Sequence, residues 1–357
     1  MKKILSMIIA IAALLPGKTD ACTGITLTTK DNAKIMARTI EWGGSDLNSQ
    51  YIIVPRGYTS QSYIPGGTDG MKFTSKYGYV GLAVEQKEFV TEGLNEEGLS
   101  AGLFYFPQYG KYEAYNESEK ASSIADLQLV SYILGECKNL DEVKKAIEEI
   151  HVIAIDPRAS TAHWRFSDKS GKQIVLEIID GKTVFYDNEL GVLTNSPDFD
   201  WQMTNLNNYV NLFPGSASPQ KLGNVEIKQF GVGSGFLGIP GDVTPPSRFV
   251  RAALYQANSP ILETSEETVL QAFQILNNFD IPIGIEFNKG QTPTDIPSAT
   301  QWTSATDMNN LKIYFRTMYN SSIRCIDLND IDFTKTKYKN IPLDTQKQQP
   351  IYKIKVK

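Results

Sequence analysis

The sequence predicts an α+β chain in which antiparallel sheets pack together and carry helices on their outer sides. Three observations point there. The hydrophobic period switches along the chain from two to three-and-four and back, so strands and helices come in blocks. Their order is strands, a helix pair, strands, helices, strands, without the regular β-α alternation of a doubly wound sheet. At 357 residues the chain can bury a large core, and neither an internal repeat nor a low-complexity linker divides it.

The elements follow in order. "TGITLTT" (23–29) alternates and is β-branched, "DNAK" (31–34) turns, and "IMARTIEW" (35–42) returns. A second pair is predicted in "YIIVPRG" (51–57) and "MKFTSKYGYVGLAV" (71–84), and "LNEEGLSAGLFYFP" (94–107) places a turn before another apolar strand. The period then changes. "SSIADLQLVSYILGEC" (122–137) and "LDEVKKAIEEI" (140–150) read as a helix pair. Strands resume at "TAHWRFSD" (161–168), "KQIVLEIID" (172–180) and "KTVFYDN" (182–188), with Gly turns at 171 and 181. Helices are predicted in "WQMTNLNNYVNLF" (201–213), "PPSRFVRAALYQA" (245–257) and "SEETVLQAFQILNNF" (265–279); proline suits the first turn of the second. The chain ends in "TQWTSATD" (300–307), "LKIYFRTMY" (311–319), "SIRCIDLNDIDF" (322–333) and a polar tail with one late strand.

The first residues belong to none of these elements. Lys2 and Lys3 precede an apolar run from Ile4 to Leu15, then Pro16-Gly17, with small residues at Thr19 and Ala21. The run is shorter than the roughly 20 residues of a membrane-spanning helix and has the layout of a secretory signal. We therefore expect residues 1–21 to be a signal peptide and 22–357 a single unit, exported to the periplasm or the extracellular space, with no stable membrane anchor.

Composition narrows the function. The net charge is −5, and removing residues 1–21 takes away three lysines and one aspartate, leaving the product more acidic. That points away from nucleic acid, which calls for basic patches. With two histidines and no Cys-x-x-Cys or His-Glu-x-x-His spacing, neither a metal nor another cofactor is expected. Three cysteines in an exported chain leave at least one unpaired. Cys137 and Cys325 read as two separate buried thiols, with a bond between the two as the alternative the sequence leaves open.

Cys22 stands immediately after the expected cleavage site. As a first residue it would carry its own base, because an α-amine (about 7.7–8.0) and a thiol (about 8.5) ordinarily titrate close together. Such a site needs a cation near the sulfur, an acceptor for the amine and donors for a tetrahedral oxyanion. If 22–27 and 34–42 pair as a hairpin, Arg38 and Glu41 return towards Cys22; a bend or bulge would let one strand present both. Taken alone, Arg and Glu on an edge strand usually form a solvated face. His163 reads as a satisfied strand histidine, and Asn95, Asn205, Asn207 and Asn208 as turn, capping and packing residues.

Six stretches occurring in one order carry a resemblance: "CTGITL", "ARTIEW", "NEEGLSAGL", "LTNSPDFDWQMTNLNNY", "GSGFLGIPGDVTPPSRFVRA" and "TQWTSATD". Together they resemble the choloylglycine hydrolase family of N-terminal nucleophile (Ntn) amidases, which includes bile salt hydrolases and penicillin V acylases. The resemblance implies a four-layer αββα sandwich of antiparallel sheets, hydrolysis of a small-molecule amide, and a homotetramer. It implies Cys22 as nucleophile and, through its amine, base; Arg38 beside the thiolate; Glu41, where the family usually has Asp, facing the amine; Asn195 as an oxyanion donor; and Arg248 facing the nucleophile. Tyr105, or Phe104 in a register shifted by one, would supply a backbone N–H to the oxyanion. An acyl pocket lined by Phe104, Tyr105 and Phe106 would suit either a bile acid or a phenoxyacetyl group. Two alternatives stay open at this point: a lipoprotein acylated at Cys22, against which Thr19 and Asp20 speak, and a non-catalytic binding module on the same fold.

Overall fold

The computed structural model describes residues 21–156 and 160–356, so of the expected signal peptide only Ala21 lies among the described residues. In chain order the main strands begin with β1 (Cys22–Thr28), β2 (Lys34–Glu41), β3 (Gln50–Val54), β4 (Tyr79–Ala83), β5 (Val90–Asn95) and β6 (Ser100–Tyr105). Helices α1 (Leu129–Glu136) and α2 (Leu140–Glu148) follow, then β7 (Ala162–Ser167), β8 (Gln173–Ile179) and β9 (Lys182–Asp187). Helices α3 (Phe199–Asn205), α4 (Pro245–Ala257) and α5 (Ser265–Leu276) precede β10 (Thr300–Asp307), β11 (Lys312–Thr317), β12 (Asn320–Asp327) and β13 (Lys339–Pro342).

The strands form two antiparallel sheets, β1-β2-β10-β11-β12 and β9-β8-β7-β6-β5-β4-β3-β13. Side-chain alternation sorts the layers. On one face of the larger sheet Ile52, Val54, Tyr79, Leu103, Trp164, Phe166 and Leu176 pack with Leu129, Ile133, Leu134, Val143 and Ile147 of α1 and α2. On its other face Val80, Leu82, Leu94, Phe104 and Val175 share a core with the smaller sheet and with Phe249, Ala252, Val269 and Phe273 of α4 and α5. The order of layers is helix, sheet, sheet, helix, as expected.

Most predicted elements are present, with local differences. The helix read over 122–137 is only its second half, because Ser123–Ala125 is a short strand and Asp126–Gln128 a 3-10 turn. The helix read over 201–213 is α3 followed by a 3-10 turn, Leu206–Tyr209, where Asn205, Asn207 and Asn208 make local hydrogen bonds. β5 has no separate signal in the sequence, because Gly93 and the charged Glu92 interrupt its apolar pattern. Asn95 does set the turn after it: its Oδ1 accepts from Glu97 and Leu99 N–H, and its Nδ2 donates to the carbonyls of Leu134 and Cys137 at the end of α1. Cys137 is a buried free thiol, but Cys325 is free and exposed, since β12 is an edge strand.

The layer between the sheets is not wholly apolar. Arg38 from the smaller sheet and Glu92, His163, Arg165 and Glu177 from the larger one are all buried there. Gly24, directly opposite Arg38 in the β1–β2 register, makes room for them: a Cβ there would lie 2.6 Å from Arg165 Nη1 and 2.9 Å from the Phe104 ring.

Candidate active site

Cys22 opens β1 and is buried. The hairpin pairs it with Ile40, which brings the end of β2 alongside, and the N–H of Glu41 bonds the carbonyl of Ala21 at 2.8 Å. Arg38 and Glu41 are three apart and fall on opposite faces of a regular strand. They do diverge: Glu41 lines the cavity that Cys22 reaches, whereas Arg38 does not, and a register shift in the neighbouring strand lies between Thr300 and Trp302 of β10, opposite Glu41 and Ile40.

On the far side of β1 runs the segment containing Thr194 and Asn195. Gly24 and Leu193 exchange both backbone hydrogen bonds (2.7 and 3.1 Å), which docks that segment against the strand. The Asn195 carboxamide has its orientation set by donors: Oδ1 accepts from Cys22 N–H and from Arg248 Nη2, both at 2.7 Å. Its Nδ2 consequently faces Tyr105, whose carbonyl it meets at 2.7 Å. Arg248 rises from the first turn of α4, where Pro245 and Pro246 start the helix without wasting a backbone N–H. Its Nη1 donates to the Cys22 carbonyl (2.5 Å) and Thr23 Oγ1 (2.7 Å), and its Nε to the Val243 carbonyl.

Arg38 crosses between the sheets. It donates to the carbonyls of Leu103 (2.6 Å) and Thr91 (3.1 Å), lies 3.6 Å from Glu92, and covers the Phe104 ring at 4.0 Å. Arg165 stands 5.3 Å from the same ring and 4.0 Å from the other Glu92 oxygen. Two buried guanidiniums thus share one buried carboxylate.

A mostly apolar cavity opens at this point, about 810 Å³ counting its mouth. Cys22, Glu41 and Tyr105 reach it, as do Ile40, Trp42, Leu47, Val84, Leu127 and Ile155. Phe104 and Phe106, expected in its lining, are elsewhere: Phe104 lies under the two arginines, and Phe106 stacks on His163 at 4.4 Å. Of the two side chains, Tyr105 lines the cavity and Phe104 lies in the core. The lining contributed by Trp42, Val84, Leu127 and Ile155 comes from four separate stretches and has no common sequence signal. Asp126 also lines the cavity.

Burial dominates the electrostatics. It pushes the Cys22 thiol up; Arg38 and Arg248 pull it back and Glu41 opposes them. Burial raises the Glu41 carboxyl to about 8 against the pull of Arg248, the Thr39 hydroxyl and Arg38, although neither of its oxygens lies within full hydrogen-bond geometry of a described residue. Their pull is smaller than the cost of burying the charged form. Among the described residues no cluster of His, Cys, Asp and Glu could hold a metal ion.

The site therefore gathers all six residues singled out in the sequence around one cavity and the backbone beside it. The profile of "linear amide C–N hydrolases, choloylglycine hydrolase family" matches residues 22–346. The chain belongs to this family. A bile salt hydrolase/transferase from Clostridium perfringens (strain 13 / Type A) is 31% identical over 86% of this chain and 92% of its own length. The crystal structure of a variant conjugated bile acid hydrolase from Clostridium perfringens superposes with a TM-score of 0.80 at 30% identity, covering 94% of this chain and all of that one. Penicillin V acylase from Agrobacterium tumefaciens superposes with a TM-score of 0.72 at 25% identity, covering 93% and 94%. As a family member the chain is an amidohydrolase acting on linear amides, and its layered fold is that of the Ntn hydrolases.

Proposed function

We propose that the chain is exported, that cleavage after Ala21 leaves Cys22 as the first residue, and that Cys22 is the nucleophile of a conjugated bile salt hydrolase. The observation that carries this is the surroundings of the Cys22 nitrogen. Its N–H is held by Asn195 Oδ1, and the cavity that Cys22 reaches is also lined by the buried Glu41 carboxyl. A free amine there, on taking the thiol proton, would carry a positive charge next to the thiolate and near Glu41, lowering both titrations.

In the reaction the Cys22 sulfur bonds to the amide carbonyl carbon while the α-amine takes the thiol proton. The developing oxyanion meets the second N–H of Asn195 Nδ2, the first being bonded to Tyr105. The C–N bond then breaks and the amine proton passes to the leaving nitrogen. Water, deprotonated by the same α-amine, attacks the thioester, the S–C bond breaks, and the acid leaves with the thiol restored. Arg248 and Asn195 hold the geometry, and Arg38 stabilises the thiolate from between the sheets.

The apolar cavity suits the acyl part, a steroid acid, with glycine or taurine as the amine released. Penicillin V, with its phenoxyacetyl group, is the second reading, favoured by Tyr105 at the cavity. Mass spectrometry of the amino-terminal peptide from the native producer tests the first step. A chain starting at unmodified Cys22 supports it, whereas a lipid on Cys22 or a retained upstream segment removes the base. Rates on glycocholate, taurocholate and penicillin V then rank the substrates, and C22A is expected to lose all turnover.

A further inference from the structure

Outside the residues already assigned, one buried titratable pair is tied directly to the backbone that presents Asn195. His163 on β7 faces Glu177 on the adjacent β8, Nδ1 to Oε1 at 3.0 Å, with both side chains fully buried. The other ring nitrogen, Nε2, lies 3.0 Å from the carbonyl of Thr194. A carbonyl only accepts, so Nε2 carries a proton, and a further proton lies between Nδ1 and the carboxylate. The same Glu177 oxygen also accepts from the N–H of Phe199, the first residue of α3, at 3.0 Å. The imidazole is clamped on its flat side by Phe106, 4.4 Å away and 6° from parallel, and edge-on by Phe104.

These contacts bracket Asn195. Residue 193 is held by β1, residue 194 by His163, and residue 199 by Glu177, while Gln202 Nε2 donates to the Asn195 carbonyl. The stacked Phe106 adjoins Tyr105, whose carbonyl receives Asn195 Nδ2. One ring thus links the strand bearing Tyr105 to the segment bearing Asn195.

We propose that His163, oriented by Glu177, is a positioning residue: it sets where the Asn195 carboxamide stands against the reacting carbonyl. It touches no substrate atom itself, since it lies in the layer between the sheets and does not line the cavity. The inference rests on the proposed role of Asn195 in stabilising the oxyanion. Because that interaction is made in the transition state, a displaced Asn195 lowers kcat and leaves KM nearly unchanged.

The test uses the full-length processed enzyme on glycocholate and compares H163F/E177Q with H163Q. The double variant keeps a ring for Phe106 and an acceptor for Phe199 N–H, and leaves no unpaired buried charge. We expect kcat to fall about tenfold to hundredfold, the scale of a misplaced oxyanion donor, with KM within about threefold. H163Q, which can still donate to the Thr194 carbonyl, recovers most of the rate. Alkylation of Cys22 by iodoacetamide falls by much less than kcat in both, because Asn195 is only one of the contacts on Cys22, whose carbonyl stays bonded to Arg248. Unchanged kcat in the double variant, or a rate loss matched by slower alkylation and a lower folded fraction, overturns the positioning role. The underlying reading fails in a different way: alkylated wild-type enzyme would stay active, or N195A would keep full kcat.

Discussion

Arg248 Nη1 stands 2.5 Å from the carbonyl oxygen of Cys22 while its Nη2 holds Asn195, so one guanidinium spans the two residues on which the proposed chemistry depends. A lysine has a single nitrogen and no planar fork, so it cannot reach both acceptors with the geometry that Nη1 and Nη2 give them. R248K is expected to lower kcat about a hundredfold with a smaller change in KM, measured by steady-state hydrolysis of glycocholate. A kcat within threefold of wild type would show that the fork is dispensable.

Glu41 would link the proposed cleavage after Ala21 to stability. With Ala21 attached, its carboxyl is raised to about 8, above the ordinary value near 4.5, so the folded chain keeps a proton that the unfolded chain has released. Stability is then lost as pH rises between those two values. A variant that retains Ala21 should melt at progressively lower temperature from pH 5 to pH 8, and E41Q should remove most of that slope. In the chain beginning at Cys22 the new ammonium lowers the Glu41 titration and the slope flattens. Thermal melts of the three proteins across that pH range decide it.

Asp126 is pushed up to about 7, chiefly by burial, with Leu127 N–H and Tyr112 pulling the other way. It therefore gains negative charge near neutrality inside the cavity. An anionic amide should bind less well as that charge appears, so KM for glycocholate is expected to rise severalfold from pH 6 to pH 8. D126N should show a shallower rise. Equal pH dependence in the two proteins would remove Asp126 from substrate binding.

Gly24 has no free space for a methyl group. G24A would press a Cβ against Arg165 and Phe104, and overpacking of this kind costs about 1–3 kcal/mol. Urea unfolding should show a lower midpoint with the same slope, and an unchanged midpoint would mean the two buried groups yield freely.

Much of this organisation is legible in the sequence. The β1–β2 hairpin follows from alternation and a polar turn, and α4 from its two prolines and apolar spacing, so the placements of Arg38 and Arg248 come with them. Asn195 carries no periodic signal and enters only through the family resemblance. The layer between the sheets is harder to read. In β7 the inward positions are His163 and Arg165, and the outward ones are Trp164 and Phe166. Reading polar as exposed assigns that strand the wrong solvent face, because both of its faces are buried. Glu92 hides β5 for the same reason. The cavity is the least legible part, since its walls meet only after both sheets close.

Ala21 is as buried as Cys22, at 3% and 4% exposure, with Ile281 and Ala299 packed around it and its carbonyl paired to Glu41. The bond between the two residues is thus out of reach of an external peptidase once the sheets have met. A cut at that bond by such an enzyme belongs before folding, while the segment is still an extended chain. Under the proposed cleavage, order of events would then be part of activation: a molecule that folds before it is trimmed would close over the bond whose cleavage supplies its base.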